Sequence, residues 1–359
     1  MTTKDFIPNP YDNAVDKGKS TWESPSNIAL VKYWGKTGEQ LPQNPSISFT
    51  LNQCKTITTV EFTKKENETS FSFEVYFEKS RNLSFEPKIN TFFERVEAYL
   101  PFLKQYHFKI TTSNTFPHSS GIASSASGMS ALALCLMDIE KRLSGNIAES
   151  HFIKKASFLA RLGSGSASRS VEGPLVVWGK HKGIKDSTDL FGVSFDYEVH
   201  DNFKNYQDTI LLVDKGEKQV SSTVGHDLMY NHPFAEKRFE QAVENLTKLK
   251  KVLTTGNLDE FISIVESEAL TLHAMMMTSM PYFILMKSNT LNIINSIWKF
   301  REQKGSKVCF TLDAGANVHV LFPANEKAAV GKFIRDELSK YCQNGQFIED
   351  FAGSGAVRV

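Results

Sequence analysis

The run from Asn114 to Leu132, NTFPHSSGIASSASGMSAL, restricts this chain more than any other. A β-type run ends at Asn114. A loop rich in Pro, Gly and Ser follows, and small residues then give way to an apolar helical run, ALALCLM, from Ala131 to Met137. Small side chains allow close backbone approach, and a helix N-terminus presents unpaired N–H groups with a partial positive charge. A strand, loop and helix in this order make a cradle for phosphate. Ser119, Ser120, Ser124 and Ser125 add hydroxyls that could meet phosphate oxygens or serve a bound magnesium ion. A capped helix after a Ser-rich loop would read the same way, and no G-x-x-x-x-G-K-[ST] loop occurs in the chain.

Composition narrows the choice of ligand. A chain of 359 residues is long enough for about two domains. Its net charge of +1 gives no global basic field for nucleic acid, although local cations could still grip a small anion. Cys54, Cys135, Cys309 and Cys342 are scattered in or beside apolar runs with no C-x-x-C, the pattern of reduced thiols in a cytoplasmic protein. The N-terminal MTTKDFIPNPYDNAVDKG has no apolar targeting core, and no apolar run approaches the roughly 18 residues of a membrane span. The nine His residues show no H-x-x-x-H or H-E-x-x-H spacing for zinc.

Along the chain, residues 1–22 are polar, broken by Pro8 and Pro10, and read as an extended arm. Alternating apolar residues predict strands at NIALVKYW, ISFTL, TITTVEF, FSFEVYF, NLSFE, HFKITTSN, PLVVWG, GVSFDYEV and DTILLVD. Helices are expected from Ile89 to Leu103, Ile122 to Arg142 and Ala148 to Leu162. Beyond Val220 the pattern turns helical, at about 233–254, 258–277 and 281–303. Strands at KVCFTLD and NVHVLF, a helix near 326–341 and short β runs at GQFIED and GAVRV complete the chain. The change near residue 205 is the expected domain boundary, giving an arm 1–22, a first domain 23–204 and a second 205–359.

Three segments carry chemistry. Lys32-Tyr33-Trp34-Gly35-Lys36 sets a lysine at the end of an apolar strand, where it is either solvated on one face or aimed into a pocket to hold an anion. Ala160 to Ser170 alternates Gly and Ser between a helix and a strand. Its Arg169 offers a planar fork suited to phosphate or carboxylate, unless the loop is simply flexible and its Arg solvated. Asp313 follows the apolar run Phe310-Thr311-Leu312 and precedes Ala314-Gly315, a position equally suited to a turn former.

Taken together these segments resemble the diphosphomevalonate decarboxylases of the GHMP kinase superfamily. Pro117, Gly121, Ile122, Ser124, Ser125 and Ala126 match the phosphate loop P-x-x-x-G-[LI]-x-S-S-A. Lys32 to Lys36 with Leu41-Pro42-Gln43-Asn44-Pro45-Ser46-Ile47-Ser48 resembles K-Y-W-G-K … L-P-x-N-x-S-I-S. The second segment resembles A-R-x-G-S-G-S-A-x-R-S, with Ser168 where the family usually has Cys, and the third resembles F-D-A-G-x-N. Val220 to Gly225 and Leu272-His273-Ala274 echo two further family segments.

The resemblance implies an α+β, GHMP-kinase-like two-domain fold, with an N-terminal domain resembling ribosomal protein S5 domain 2, a C-terminal α/β sandwich, and the active site between them. It implies ATP in the loop at Ser119, Ser120, Gly121, Ala123, Ser124 and Ser125, with Mg²⁺ at Ser125. Substrate would lie at Tyr33, Lys36, Ser164, Ser166 and Arg169, and catalysis at Asp313 and Lys32. The implied reaction converts (R)-5-diphosphomevalonate and ATP to isopentenyl diphosphate, ADP, phosphate and CO₂, with a homodimer as the common assembly.

The chain also departs from the pattern. Pro117-His118-Ser119-Ser120 replaces P-T-A-A, and Glu172-Gly173-Pro174 replaces an aromatic-Gly-Gly. His226 and His232 stand where the family usually has Met and a Thr-Ser region. These changes leave open a phosphomevalonate decarboxylase or a mevalonate 3-kinase. A non-catalytic relative is the remaining class, and retention of Lys32 and Asp313 argues against it.

Overall fold

A computed structural model describes residues 1–67, 69–117, 122–214 and 222–359, with residues 222 and 223 described for their backbone only. In chain order it contains β1 (Lys17–Val31), β2 (Lys36–Thr37), β3 (Leu41–Pro42), β4 (Ser46–Lys64), β5 (Ser72–Phe77), β6 (Ser80–Arg81), α1 (Glu86–Val96) and β7 (Tyr106–Asn114). There follow α2 (Ser124–Ser144), α3 (Glu149–Gly163), β8 (Leu175–Trp178), β9 (Val193–Ser194), β10 (Gln207–Leu211) and α4 (Ser222–Asp227). The chain continues with α5 (Ala235–Thr255), α6 (Leu258–Met277), α7 (Ser288–Lys304), β11 (Cys309–Thr311), β12 (Val318–Phe322), α8 (Lys327–Phe333), β13 (Phe347–Phe351) and β14 (Val357–Arg358). None of these helices is long and apolar enough to cross a membrane.

Two long strands organise the first half. β1 and β4 run antiparallel from Lys17↔Thr63 to Val31↔Ile47, with register shifts at Pro25/Asn27 and Ala29/Val31. The sheet order is β14-β1-β4-β7-β5-β6, and β8 joins the first residues of β4 with β9 beyond it. One face is covered by α1, α2 and α3. α2 is apolar on nearly all sides because it is wedged between the sheet and α3, and Ala131, Ala133, Leu134, Cys135 and Leu136 are fully buried. Phe62, Phe93, Phe108 and Leu132 belong to this core, and each such side chain contributes roughly 1.5–3 kcal/mol by leaving water.

The second sheet, β11-β12-β10-β13, packs by alternation. Leu321 joins a core shared with β1, β4, α5 and α6. Val318, Val320 and Phe322 face the other way, onto α7 and α8. Asp350 ties the two sheets together. Its Oδ1 accepts the main-chain N–H groups of Asn52 at 2.9 Å and Gln53 at 2.8 Å, and its Oδ2 accepts that of Cys54 at 2.8 Å. The last residues return to the first sheet, where Trp22 pairs with Arg358.

Several elements differ from the sequence reading. NLSFE begins a helical segment rather than a strand, because Asn82 Oδ1 accepts the Ser84 N–H at 3.1 Å and Pro87 suits a first helical turn. The helix expected over 281–303 starts only at Ser288. Ser279 Oγ instead bonds the carbonyls of Met276 and Pro281, and Lys287 N–H donates to Thr290 Oγ1 at 3.1 Å, which sets the new start. GVSFDYEV contributes only Val193–Ser194 to a sheet. The N-terminal arm is packed down by Phe6, fully buried and stacked on Phe158 at 4.4 Å between ring centroids.

Candidate active site

A cleft of about 720 Å³ opens where the end of β1, the N-terminus of α2, the end of α3 and the turn between β11 and β12 converge. Lys32 follows β1 directly, one residue beyond the last pairing with β4. It is only 2% exposed, and its Nζ lies 3.0 Å from Asp313 Oδ1. Burial pushes the Lys32 ammonium below the ordinary lysine range, while the Asp313 carboxylate opposes that shift. His273, from α6, donates its Nε2–H to the main-chain carbonyl of Asp313 at 3.1 Å. Burial lowers the His273 pKa to about 4, so the ring is neutral and fixes the turn that presents the aspartate.

The wall beside this pair is cationic. After α3 a 3-10 run, Gly165–Ser170, is pinned to β1. Asn27 Nδ2 donates to Ser170 Oγ at 2.8 Å and to the Ser166 carbonyl at 3.2 Å, and Ser24 Oγ donates to the Ser170 carbonyl at 2.8 Å. This aims Arg169 inward. Its Nε donates to Ser48 Oγ at 3.0 Å, Nη1 to Ser46 Oγ, and Nη2 to Asn27 Oδ1 at 3.5 Å. Burial lowers the Arg169 pKa to about 10, so it stays charged at neutral pH. Ser164 and Ser166 line the same wall.

Tyr33 packs edge-on against Trp178 at 4.6 Å and beside His226 at 4.2 Å. Its hydroxyl is buried and finds no hydrogen-bond partner among the described residues. An orphaned donor lining a cationic cleft fits an anionic ligand oxygen. Gly35 has φ +96°, a conformation that favours glycine, and its N–H donates to His226 Nδ1 at 2.9 Å. Burial, reinforced by Lys36 and Arg169, pushes His226 down to about 3, so it is a neutral acceptor. Lys36 Nζ lies 3.9 Å from Asp227 Oδ1, at the other end of the same clamp. His232 lies away from these groups. Its Nε2 meets the Met275 carbonyl at 3.1 Å and its Nδ1 accepts the Phe234 N–H at 3.2 Å, which secures the approach to α5.

The other end of the cleft is built on α2. Ala123 takes a left-handed conformation, φ 45° and ψ 36°, and the helix starts at Ser124. Ser26 Oγ holds the Ile122 carbonyl at 2.5 Å, and Ser125 Oγ sits 3.3 Å from Ser164 Oγ. Ala123, Ser124 and Ser125 line the cleft, with an apolar recess beyond them bounded by Val75, Phe77, Phe85, Ile89 and Phe92. His118, Ser119, Ser120 and Gly121 lie outside the described residues. Among the described residues no group of three or more His, Cys, Asp or Glu side chains could hold a metal alone. The Ser125 and Ser164 hydroxyls are hard oxygen donors, which fit a magnesium ion carried in on a polyphosphate.

The cleft therefore offers a helix N-terminus with hydroxyls at one end and a cluster of Lys, Arg and Tyr at the other. Between them stands a carboxylate with an ammonium beside it. Such a site can hold two polyanions and align a hydroxyl for proton removal and phosphoryl transfer. His273, Arg238 and Glu268 were not singled out as site residues from the sequence. His273 stood inside a recognised segment without an assigned role, while Arg238 and Glu268 look like ordinary helix charges.

Comparison with known proteins agrees with this geometry. The family model described as "Diphosphomevalonate decarboxylase-like N-terminal domain" matches residues 24–189, and "Mevalonate 5-diphosphate decarboxylase C-terminal domain" matches residues 209–354. The chain is 29% identical over 324 residues to the diphosphomevalonate decarboxylase of Saccharomyces cerevisiae, covering 87% of this chain and 79% of that protein. It is similar to the mevalonate diphosphate decarboxylase structure from Enterococcus faecalis at 27% identity and TM-score 0.78, over 96% of this chain and 99% of that one. A structure of MDDEF in complex with MVAPP, AMPPCP and magnesium superposes with TM-score 0.80 at 27% identity, over 96% and 99% of the two chains.

Proposed function

Because this chain belongs to the diphosphomevalonate decarboxylase family, we propose how its own residues carry out the family reaction. That reaction is the ATP-dependent decarboxylation of (R)-5-diphosphomevalonate to isopentenyl diphosphate, ADP, phosphate and CO₂. The observation that carries the assignment of roles is the Lys32–Asp313 pair, held at 3.0 Å in a cleft lined at one end by the α2 N-terminus and at the other by Arg169.

ATP occupies the α2 end, with its phosphates on the main-chain N–H groups of the first turn and on the hydroxyls of Ser124 and Ser125. Ser119, Ser120, Gly121 and Ala123 complete that loop in the family pattern. Ser125, together with the ATP phosphates, would hold Mg²⁺, which would supply neutralisation of phosphate charge. The diphosphate and carboxylate of the substrate lie against Tyr33, Lys36, Ser164, Ser166 and Arg169. Several cations and hydroxyls must converge here, because two polyanions are brought together in a shielded cleft.

Asp313 accepts the hydrogen bond of the substrate 3-hydroxyl and takes its proton as the γ-phosphoryl group passes to that oxygen. Lys32 stabilises the charge that builds beside it. The C3–O bond of the 3-phosphate then breaks and positive charge grows at C3. The C1–C2 bond releases CO₂, and its electron pair becomes the C2=C3 double bond.

The buried free cysteines support a reducing compartment, and we place the protein in the cytoplasm as a homodimer, which sedimentation would check. The reading is tested by following ADP with mevalonate, its 5-phosphate and its 5-diphosphate in parallel. Strong preference for the 5-diphosphate is expected. Preference for the monophosphate, or for mevalonate itself, would move the chain to the phosphomevalonate decarboxylase or 3-kinase alternative.

A further inference from the structure

We propose that the buried pair Arg238–Glu268 is a positioning device that fixes the main chain of Lys32, and so sets where its ammonium stands. This rests on the role assigned above to Lys32. Glu268, from α6, and Arg238, from α5, are both fully buried, with Nη2 and Oε2 2.5 Å apart. The pair does not end on itself. Glu268 Oε2 accepts the main-chain N–H of Lys32 at 2.9 Å, and Arg238 Nη2 donates to the Lys32 carbonyl at 3.2 Å. Asn44 Nδ2 donates to the same carbonyl at 2.9 Å, and Asn245 Nδ2 steadies Glu268 Oε1 at 2.6 Å.

Strand pairing explains why such a device is needed. β1 loses its ladder to β4 at Val31↔Ile47, so the main-chain groups of Lys32 must be satisfied elsewhere. Two helices of the second half of the chain supply the partners, and the turn bearing Asp313 is held by His273 on the same α6. One helix thus references both members of the catalytic pair. Stability alone is a poor reason for this arrangement, since a buried ion pair rarely outperforms well-packed apolar residues. Among the described residues Arg238 Nε is moreover left without a hydrogen-bond partner, as expected where the guanidinium is aimed at Lys32 rather than at its own full satisfaction.

Two variants separate positioning from stability. Arg238→Met combined with Glu268→Met removes both charges together and keeps an apolar fill. Arg238→Lys keeps the ion pair but cannot hold Glu268 and the Lys32 carbonyl with one planar fork. Each is measured for melting temperature, for kcat and KM, and for the titration of Lys32 by ε-¹³C-lysine NMR in the ligand-free enzyme. The charged or titratable groups around Lys32 are Asp313 on the β11–β12 turn, Glu268 and His273 on α6, Arg238 on α5, Arg169 after α3, and Asp208 on β10.

The expected result is a folded protein whose kcat falls roughly 10- to 100-fold, as a misplacement of about an ångström can cause, with KM for ATP within about threefold. In Arg238→Lys, which keeps both charges, the Lys32 titration should move because its ammonium is displaced. In the double Met variant it should fall further below the ordinary lysine range, because the raising influence of Glu268 is lost. A folded variant with wild-type kcat and an unmoved Lys32 titration would overturn the proposal. The NMR readout judges the device even if the wild-type enzyme released no CO₂, an outcome that would count against the assigned reaction instead.

Discussion

The ammonium of Lys32 and the carboxylate of Asp313 lie 3.0 Å apart although 281 positions separate them in the chain. They are unequal partners. The lysine side chain is 2% exposed and the aspartate side chain 29%, so the carboxylate is the member that faces the cleft. A carboxylate on the open side can meet a substrate hydroxyl, and an ammonium behind it can balance charge without competing for that position.

Replacing Asp313 with Asn keeps the shape and removes the base. Turnover is expected to fall by about 10²–10⁴-fold, with the affinity for an ATP analogue within a few-fold of wild type by fluorescence titration. Wild-type-like turnover would remove Asp313 from the chemistry.

Arg169→Lys should act on substrate capture. The guanidinium is held by Ser46, Ser48 and Asn27 and keeps its charge at neutral pH. Lysine keeps the charge and loses the fork. Loss of one charge-assisted hydrogen bond, worth about 1.5–3 kcal/mol, predicts roughly a 10- to 100-fold rise in KM for the diphosphorylated substrate. Steady-state kinetics with each substrate varied in turn would show whether KM for ATP moves instead, which would contradict the division of the cleft.

Acid should destabilise the fold through two histidines. His226 and His273 have pKa values lowered from 6.5 to about 3 and about 4, chiefly by burial. Below pH 6.5 the unfolded chain binds protons that the folded chain refuses, so stability falls with pH down to those folded values. Each group contributes up to about 1.4 kcal/mol per pH unit within its window. His226→Gln can retain an acceptor for the Gly35 N–H while removing the titration. Its melting temperature should therefore decline less steeply than wild type between pH 6.5 and 4.5. An identical slope would show that His226 does not titrate as described.

The sequence made some of this legible and hid the rest for physical reasons. Lys32, Arg169 and Asp313 stood out because each breaks a local pattern, a charge at the end of an apolar strand or inside a Gly/Ser run. Strand and helix positions were readable where alternation or a three-to-four spacing held, as in β7 and α3. Arg238 was hidden because it sits in a helix rich in Lys and Glu, and Glu268 because its helix carries Asp259, Glu260 and Glu266 as well, and such charges ordinarily face water. Only the packing of α5 and α6 against the end of β1 shows that these two point inward. NLSFE failed as a strand because the Asn82 side chain, rather than the apolar spacing, decides the local backbone.

The most direct test of the whole account is the stoichiometry of CO₂ to ADP during turnover of [1-¹³C]-(R)-5-diphosphomevalonate, followed with inorganic phosphate in the same reaction. The account predicts one CO₂, one phosphate and one isopentenyl diphosphate for every ADP. ADP formed without CO₂, with a stable 3-phosphorylated product, would contradict it and leave a kinase that stops after phosphoryl transfer.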